Sequence, residues 1–144
     1  MPITLTPGDG QDLFARFKQA RENRDPDAML ELYAEEAAYD PDPFGPTLQG
    51  ANAIREHWND VAAEQVHVHV DAERIWVAGR TVLASWHGAF TRMATAVRVR
   101  VRGFSTMELD DEGSILRMRD WSLAREVGID RGHRPSGPSN QAEE

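Results

Sequence analysis

The sequence predicts an α+β domain in which three N-terminal helices pack on a curved antiparallel sheet and enclose a pocket. Three observations carry this expectation. Apolar residues recur at helical spacing up to Glu64, the period changes to two from Gln65 onward, and glycine-bearing turns separate the alternating runs. Helices first and strands afterwards is the α+β order.

Asp9 is placed to cap a first helix in which Leu13, Phe14, Phe17 and Ala20 form one apolar stripe, running to about Arg24. Asp25 followed by Pro26 restarts the chain: the aspartate caps, and proline at the first helical position gives up an N–H that had no partner. Met29, Leu32 and Tyr33 then share a face. Gly50 precedes a third helix, in which Ile54, Trp58, Val61 and Ala62 repeat at helical spacing. From Gln65 to Leu123 four alternating stretches read as strands, "VHVHVDAERIWV", "TVLASWHGAF", "TAVRVRVRGFSTMEL" and "SILRMRDWSL". "AGR" at 78–80 and "DDEG" at 110–113 supply the glycines that tight hairpins need. Residues 1–127 form the domain, and the Gly-, Pro- and Ser-rich stretch 128–144 reads as a disordered polar tail with nothing to bury.

A chain of 144 residues is one domain, long enough to bury about 70% of its unfolded surface. With no cysteine, disulfides and thiolate chemistry are excluded, and a reducing, cytoplasmic compartment is expected. The start, "MPITLTPGDGQDLF", does not read as a signal peptide, and no stretch approaches the ~18 apolar residues of a membrane span. A net charge of −8 disfavours nucleic acid as a partner, because polyanion binding draws on clustered Lys and Arg. The "HVH" of His67 and His69 offers two metal donors and no third. No cofactor or metal is expected.

In "LYAEEAAYDPDPFG" two acids, Asp40 and Asp42, each precede a proline. Together with "FARFKQA", "GANAIREHW" and "LDDEGSILRMRDW", over roughly residues 9–127, this stretch resembles the cone-shaped domains of the nuclear transport factor 2 superfamily, among them the SnoaL-type polyketide cyclases and the ketosteroid isomerases. The resemblance implies that Asp42, in the family's "DPFG", is the general base, with Phe44 packed over it to dry the carboxylate. Asp-Pro pairs also start ordinary turns. Where the isomerases place a tyrosine and a protonated aspartic acid to bind the developing oxyanion, this chain has Phe17 and Ser105. Steroid isomerisation is therefore not expected, since one lost oxyanion donor alone costs on the order of a hundredfold or more. The limonene epoxide hydrolases of the same superfamily carry a catalytic Asp in "RDY", which puts Asp120 of "RDW" in register with it. Their partner Arg and second Asp have no counterpart in "VLASWHGAF".

Alternation then assigns faces. With Ser105 inward, Val101, Gly103 and Met107 follow it; with Asp120 inward, Met118 and Ser122 follow. The resemblance turns Ser85 and His87 inward and Trp86 outward, and puts Tyr33 and Trp58 on the pocket wall. The expected interior therefore holds Asp42, His87 and Asp120 as acid–base groups among Phe14, Phe17, Tyr33, Phe44, Trp58, Ser85, Ser105 and Met118. Such a set suits isomerisation, cyclisation or dehydration of a small hydrophobic carbonyl or polyketide-like compound without a cofactor, or plain binding of an apolar ligand. The convex sheet face, with Arg98, Arg100, Trp86, Arg119 and Trp121, is the expected homodimer surface.

Overall fold

The computed structural model describes residues 4–135. Helix α1 (Pro7–Glu22) opens on a capping box: the Thr6 hydroxyl accepts from the Asp9 amide, and the Asp9 carboxylate accepts from the Thr6 amide. Asp9 is thus the third helical residue rather than the cap itself. Helix α2 (Pro26–Leu30) is capped by Asp25, whose carboxylate accepts from Ala28 N at 3.1 Å. Gly50, at φ 90°, admits the left-handed turn into α3 (Ala51–Glu64).

Among the described residues the sheet has six strands in the order β2-β1-β6-β5-β4-β3. The four long ones are β3 (Gln65–Ala78), β4 (Thr81–Arg92), β5 (Val97–Leu109) and β6 (Ile115–Ile129), antiparallel to one another in sequence order as the alternation predicts. The addition is β1 (Tyr33–Asp40), which pairs parallel to β6 and carries the two-residue β2 (Leu48–Gln49) on its other edge. Helix α2 therefore stops at Leu30, and Tyr33 belongs to a strand. Register shifts interrupt the β3–β4, β1–β6 and β5–β6 ladders, and such bulges bend a sheet.

The core lies between the helices and the concave face of the sheet. Met29, Tyr39, Ile54, Val82, Met107, Ile115 and Met118 are essentially inaccessible there. The end of the chain departs from the expected tail: Gly128 and Ile129 complete β6, and Asp130 ties it down by accepting from the Thr91 hydroxyl and, at 2.7 Å, pairing with His67 Nδ1. Residues 136–144 of that tail lie outside the described residues. Among the described residues no helix is long and apolar enough to cross a membrane.

Candidate active site

A cavity of about 260 Å³ opens between α1, α3 and the concave face of the sheet. Its wall is aromatic, with Phe17, Trp58 and Trp86, and its polar groups include Asp120, Tyr39, Arg21 and His57, with Gln65, His69 and Ser122 also in the lining. Phe17 meets Trp58 edge-on at 6.0 Å, and Tyr39 stacks on Trp58 at 5.7 Å with an interplanar angle of 11°.

Asp120 sits at the centre of the polar groups. Its Oδ2 accepts the Tyr39 hydroxyl, and its Oδ1 accepts the Ser105 hydroxyl at 2.6 Å. Ser105 Oγ in turn accepts the Trp86 indole N–H at 2.9 Å, so each link orients the next. Burial of the carboxyl among these rings raises its pKa to about 6, although the hydrogen bonds from Ser105 and Tyr39 and the charge of Arg21 pull the other way. The residue keeps partial solvent contact. Asp120 thus changes charge close to neutrality, where a group can both take and return a proton.

The groups around it are held in defined states. Tyr39 is pushed well above the usual phenol range, first by burial and then by the neighbouring Asp120 charge, so it stays protonated and donates. His57 packs edge-on against Trp58 at 4.9 Å and Tyr39 at 5.4 Å; burial, reinforced by Arg21, lowers its pKa and keeps it neutral. Tyr33, raised by burial above all, donates to Met118 Sδ at 3.2 Å. The buried Trp58 Nε1 is close enough to the Tyr33 oxygen to lower that phenol's pKa, yet no acceptor meets it in good hydrogen-bond geometry.

Of the residues singled out in the sequence, Asp120, Phe17 and Trp58 line this cavity, with Ser105 bonded directly behind Asp120. Phe14, Tyr33 and Met118 belong to the adjoining core. Asp42 does not reach the cavity: it is exposed, and its carboxylate accepts from Phe44 N at 2.9 Å to close a turn. Phe44, 98% exposed, covers nothing. His87 and Ser85 are also corrections. The hairpin register pairs Ala84 with Ser105 and Trp86 with Gly103, and directly paired residues share a face. With Ser105 inward, Trp86 must point inward and Ser85 and His87 outward, and His87 is exposed. Gly103 makes room for the indole, whose ring lies 2.2 Å from where a Cβ on residue 103 would sit.

Tyr39, Arg21 and His57 were not expected. Tyr39 hid in a stretch that reads as a helix end. Arg21 and His57 hid among the polar residues of helices, where a charge normally faces solvent. The two histidines of "HVH" go to different partners, His67 to Asp130 and His69 to Glu22 at 3.5 Å, because a bulge at His67 breaks the alternation. Among the described residues no three His, Cys, Asp or Glu side chains converge as a metal site.

Residues 14–118 match the model of the SnoaL-like domain family. No curated protein sequence matches the chain. Among solved structures, the chain is similar to SalBIII, an epoxide hydrolase/cyclase-like enzyme with a role in pyran ring formation in the polyether salinomycin, at 19% identity and TM-score 0.73, covering 85% of this chain and 97% of that one. A putative isomerase from Bacillus subtilis superposes with TM-score 0.72 at 22% identity, covering 81% and 87%. An LEH-like epoxide hydrolase from M. tuberculosis gives a TM-score of 0.69 at 20% identity, covering 81% of this chain and 84% of that one. At these identities the likeness is one of fold.

Proposed function

Because this chain belongs to the SnoaL-like domain family, we propose that it is a cofactor-independent acid–base enzyme acting on a small hydrophobic carbonyl or polyketide-like compound, with Asp120 as the group that moves the proton. The observation that carries this reading is a single carboxyl, titrating near pH 6, at the polar end of an aromatic cavity. In the reaction, ionised Asp120 takes a proton from the carbon next to the carbonyl; the C–H electron pair becomes the new C=C bond and the C=O π pair moves onto the carbonyl oxygen. Asp120 then returns the proton to the same or another carbon, giving exchange or isomerisation. Where the enolate carbon attacks a second carbonyl carbon of the same molecule instead, that C=O π pair moves onto its oxygen, the oxygen takes the proton held by Asp120, and the product is a ring. Tyr39 and Ser105 hold the carboxylate in place and keep its basicity from rising further.

Asp120 is bonded by a tyrosine and a serine, not by an arginine and a second carboxylate, so direct exchange with substrate suits it better than activation of water. The second reading, a non-catalytic domain that binds an apolar ligand, draws support from both Asp120 oxygens already accepting a hydrogen bond. Exchange of the α-hydrogens of 2-tetralone in D2O, followed by NMR, separates the two. The enzyme reading expects acceleration over buffer and a loss on the order of a hundredfold in Asp120→Asn. A wild-type rate equal to that of buffer, or an Asp120→Asn rate equal to wild type, would overturn it. We also propose that two copies pair through the convex sheet face, where Trp76, Phe104 and Trp121 form an outward aromatic row at 6.1 and 6.4 Å ring spacing beside Leu123.

A further inference from the structure

We propose that the cavity selects ligands carrying an anionic oxygen, a carboxylate or the enolate of a 1,3-dicarbonyl compound, and that Arg21 is the residue that binds it. The proposal rests on the reading of the cavity as a substrate site and narrows the class of substrate.

Arg21 lies in the last turn of α1, one helical turn beyond Phe17, and lines the cavity. Its guanidinium lies over the Trp58 ring, 5.4 Å from the centroid, and Nη2 donates to Gln65 Oε1 at 3.1 Å. These two contacts fix the plane of the group and use one of its five N–H donors. Elsewhere Arg55, Arg80, Arg92, Arg102 and Arg117 each hold a carboxylate in an ion pair. Among the described residues Arg21 has no ion-pair partner; Asp120 acts on it only through the field across the cavity.

A charge drawn out of water is costly unless it is paired. Burial depresses the Arg21 pKa, which records that cost, yet a guanidinium does not give up its proton in a protein. The state that satisfies it is one in which an anionic oxygen of the ligand enters the cavity and takes the open N–H fork, a geometry that suits carboxylates and delocalised enolates. The aromatic wall then covers the apolar part of the ligand, and Asp120 faces the carbon skeleton from the other side. Arg21 also offers the donor that Phe17 and Ser105 do not supply to an oxyanion.

The test is a binding measurement and needs no turnover, so its result does not depend on whether Asp120 is catalytic. Quenching of tryptophan fluorescence, to which Trp58 and Trp86 in the wall contribute, is titrated with 2-naphthoate, its neutral counterpart 2-naphthamide, and the acidic 1,3-diketone dimedone as its enolate. Wild type is expected to prefer naphthoate over naphthamide by about tenfold or more. Arg21→Met is expected to lose that preference while still binding naphthamide, and Asp120→Asn to keep or increase it. Dimedone bound in place of naphthoate assigns the site to enolates; naphthoate bound in place of dimedone assigns it to carboxylates. Equal affinity of wild type for naphthoate and naphthamide with no dimedone binding, or an anion preference that survives in Arg21→Met, would overturn the proposal. The wild-type comparison stands even if the variant does not fold.

Discussion

At the scale of single residues, the site depends on how one carboxyl is kept short of full solvation. Moving Asp120 from 3.8 to about 6 corresponds to at most about 3 kcal/mol against the charged form, less because the residue keeps partial solvent contact. Because the folded-state value lies above the unfolded one, the protonated carboxyl suits the fold, and stability falls as pH rises from about 4 through about 6. Asp120→Asn should therefore be more stable than wild type in urea at pH 8, and the gap should close near pH 4. The exchange rate should run the other way, rising through pH 6 as the base ionises. Tyr39→Phe keeps the stack on Trp58 but removes the donor to Asp120, so the alkaline-rising limb of the rate profile should move to higher pH, at a cost of about 1 kcal/mol in stability. A limb that stays put in Tyr39→Phe would mean that a different group titrates. The position of Asp120 at the cavity was legible in "RDW", whereas Asp42 lies outside it for a physical reason: an Asp-Pro turn satisfies its own carboxylate locally and has no need of a cavity.

At the scale of elements, local pattern was a good guide wherever one face is buried and the other wet, which covers α1, α3 and β3 to β6. It failed at β1, whose "YAEEAAYD" is rich in good helix formers. There the pairing with β6 and β2 overrides propensity, and the burial along the strand is two in, two out, three in, not the alternation of an isolated edge. The same strand ends at Asp40, whose carboxylate accepts from Thr47 and pairs with Arg117 at 2.6 Å; these partners hold it below the usual carboxylate range and pin the turn that follows. The inward face of β4 was a second miss, because alternation fixes which residues share a face but only the hairpin register says which face that is. The fit of Trp86 over Gly103 gives a test. Gly103→Ala must displace the indole and with it the bond to Ser105, lowering stability by about 1 to 3 kcal/mol and raising the mobility of Asp120. A melting temperature unchanged from wild type would show that the ring has another place to go.

At the scale of the whole molecule, the sheet has two faces, one concave and covered by the helices, one convex and open. Trp76 and Trp121 are each about two-fifths exposed and Leu123 is 82% exposed on the convex side, so sedimentation or light scattering should find a dimer that Trp121→Glu shifts toward monomer. A wild type that stays monomeric at high concentration would assign that face another role. The parallel pairing of β1 with β6 has one more consequence. Tyr39 and Asp120 stand 81 residues apart along the chain and meet only because the earliest strand docks beside the last. On a ribosome the phenol would wait, its partner still unsynthesised, until almost the entire domain had emerged, and loop closure over that distance is among the slower steps of folding. The bond between Tyr39 and Asp120 cannot form before β6 exists, so a prematurely terminated polypeptide would carry the greasy wall without its carboxyl.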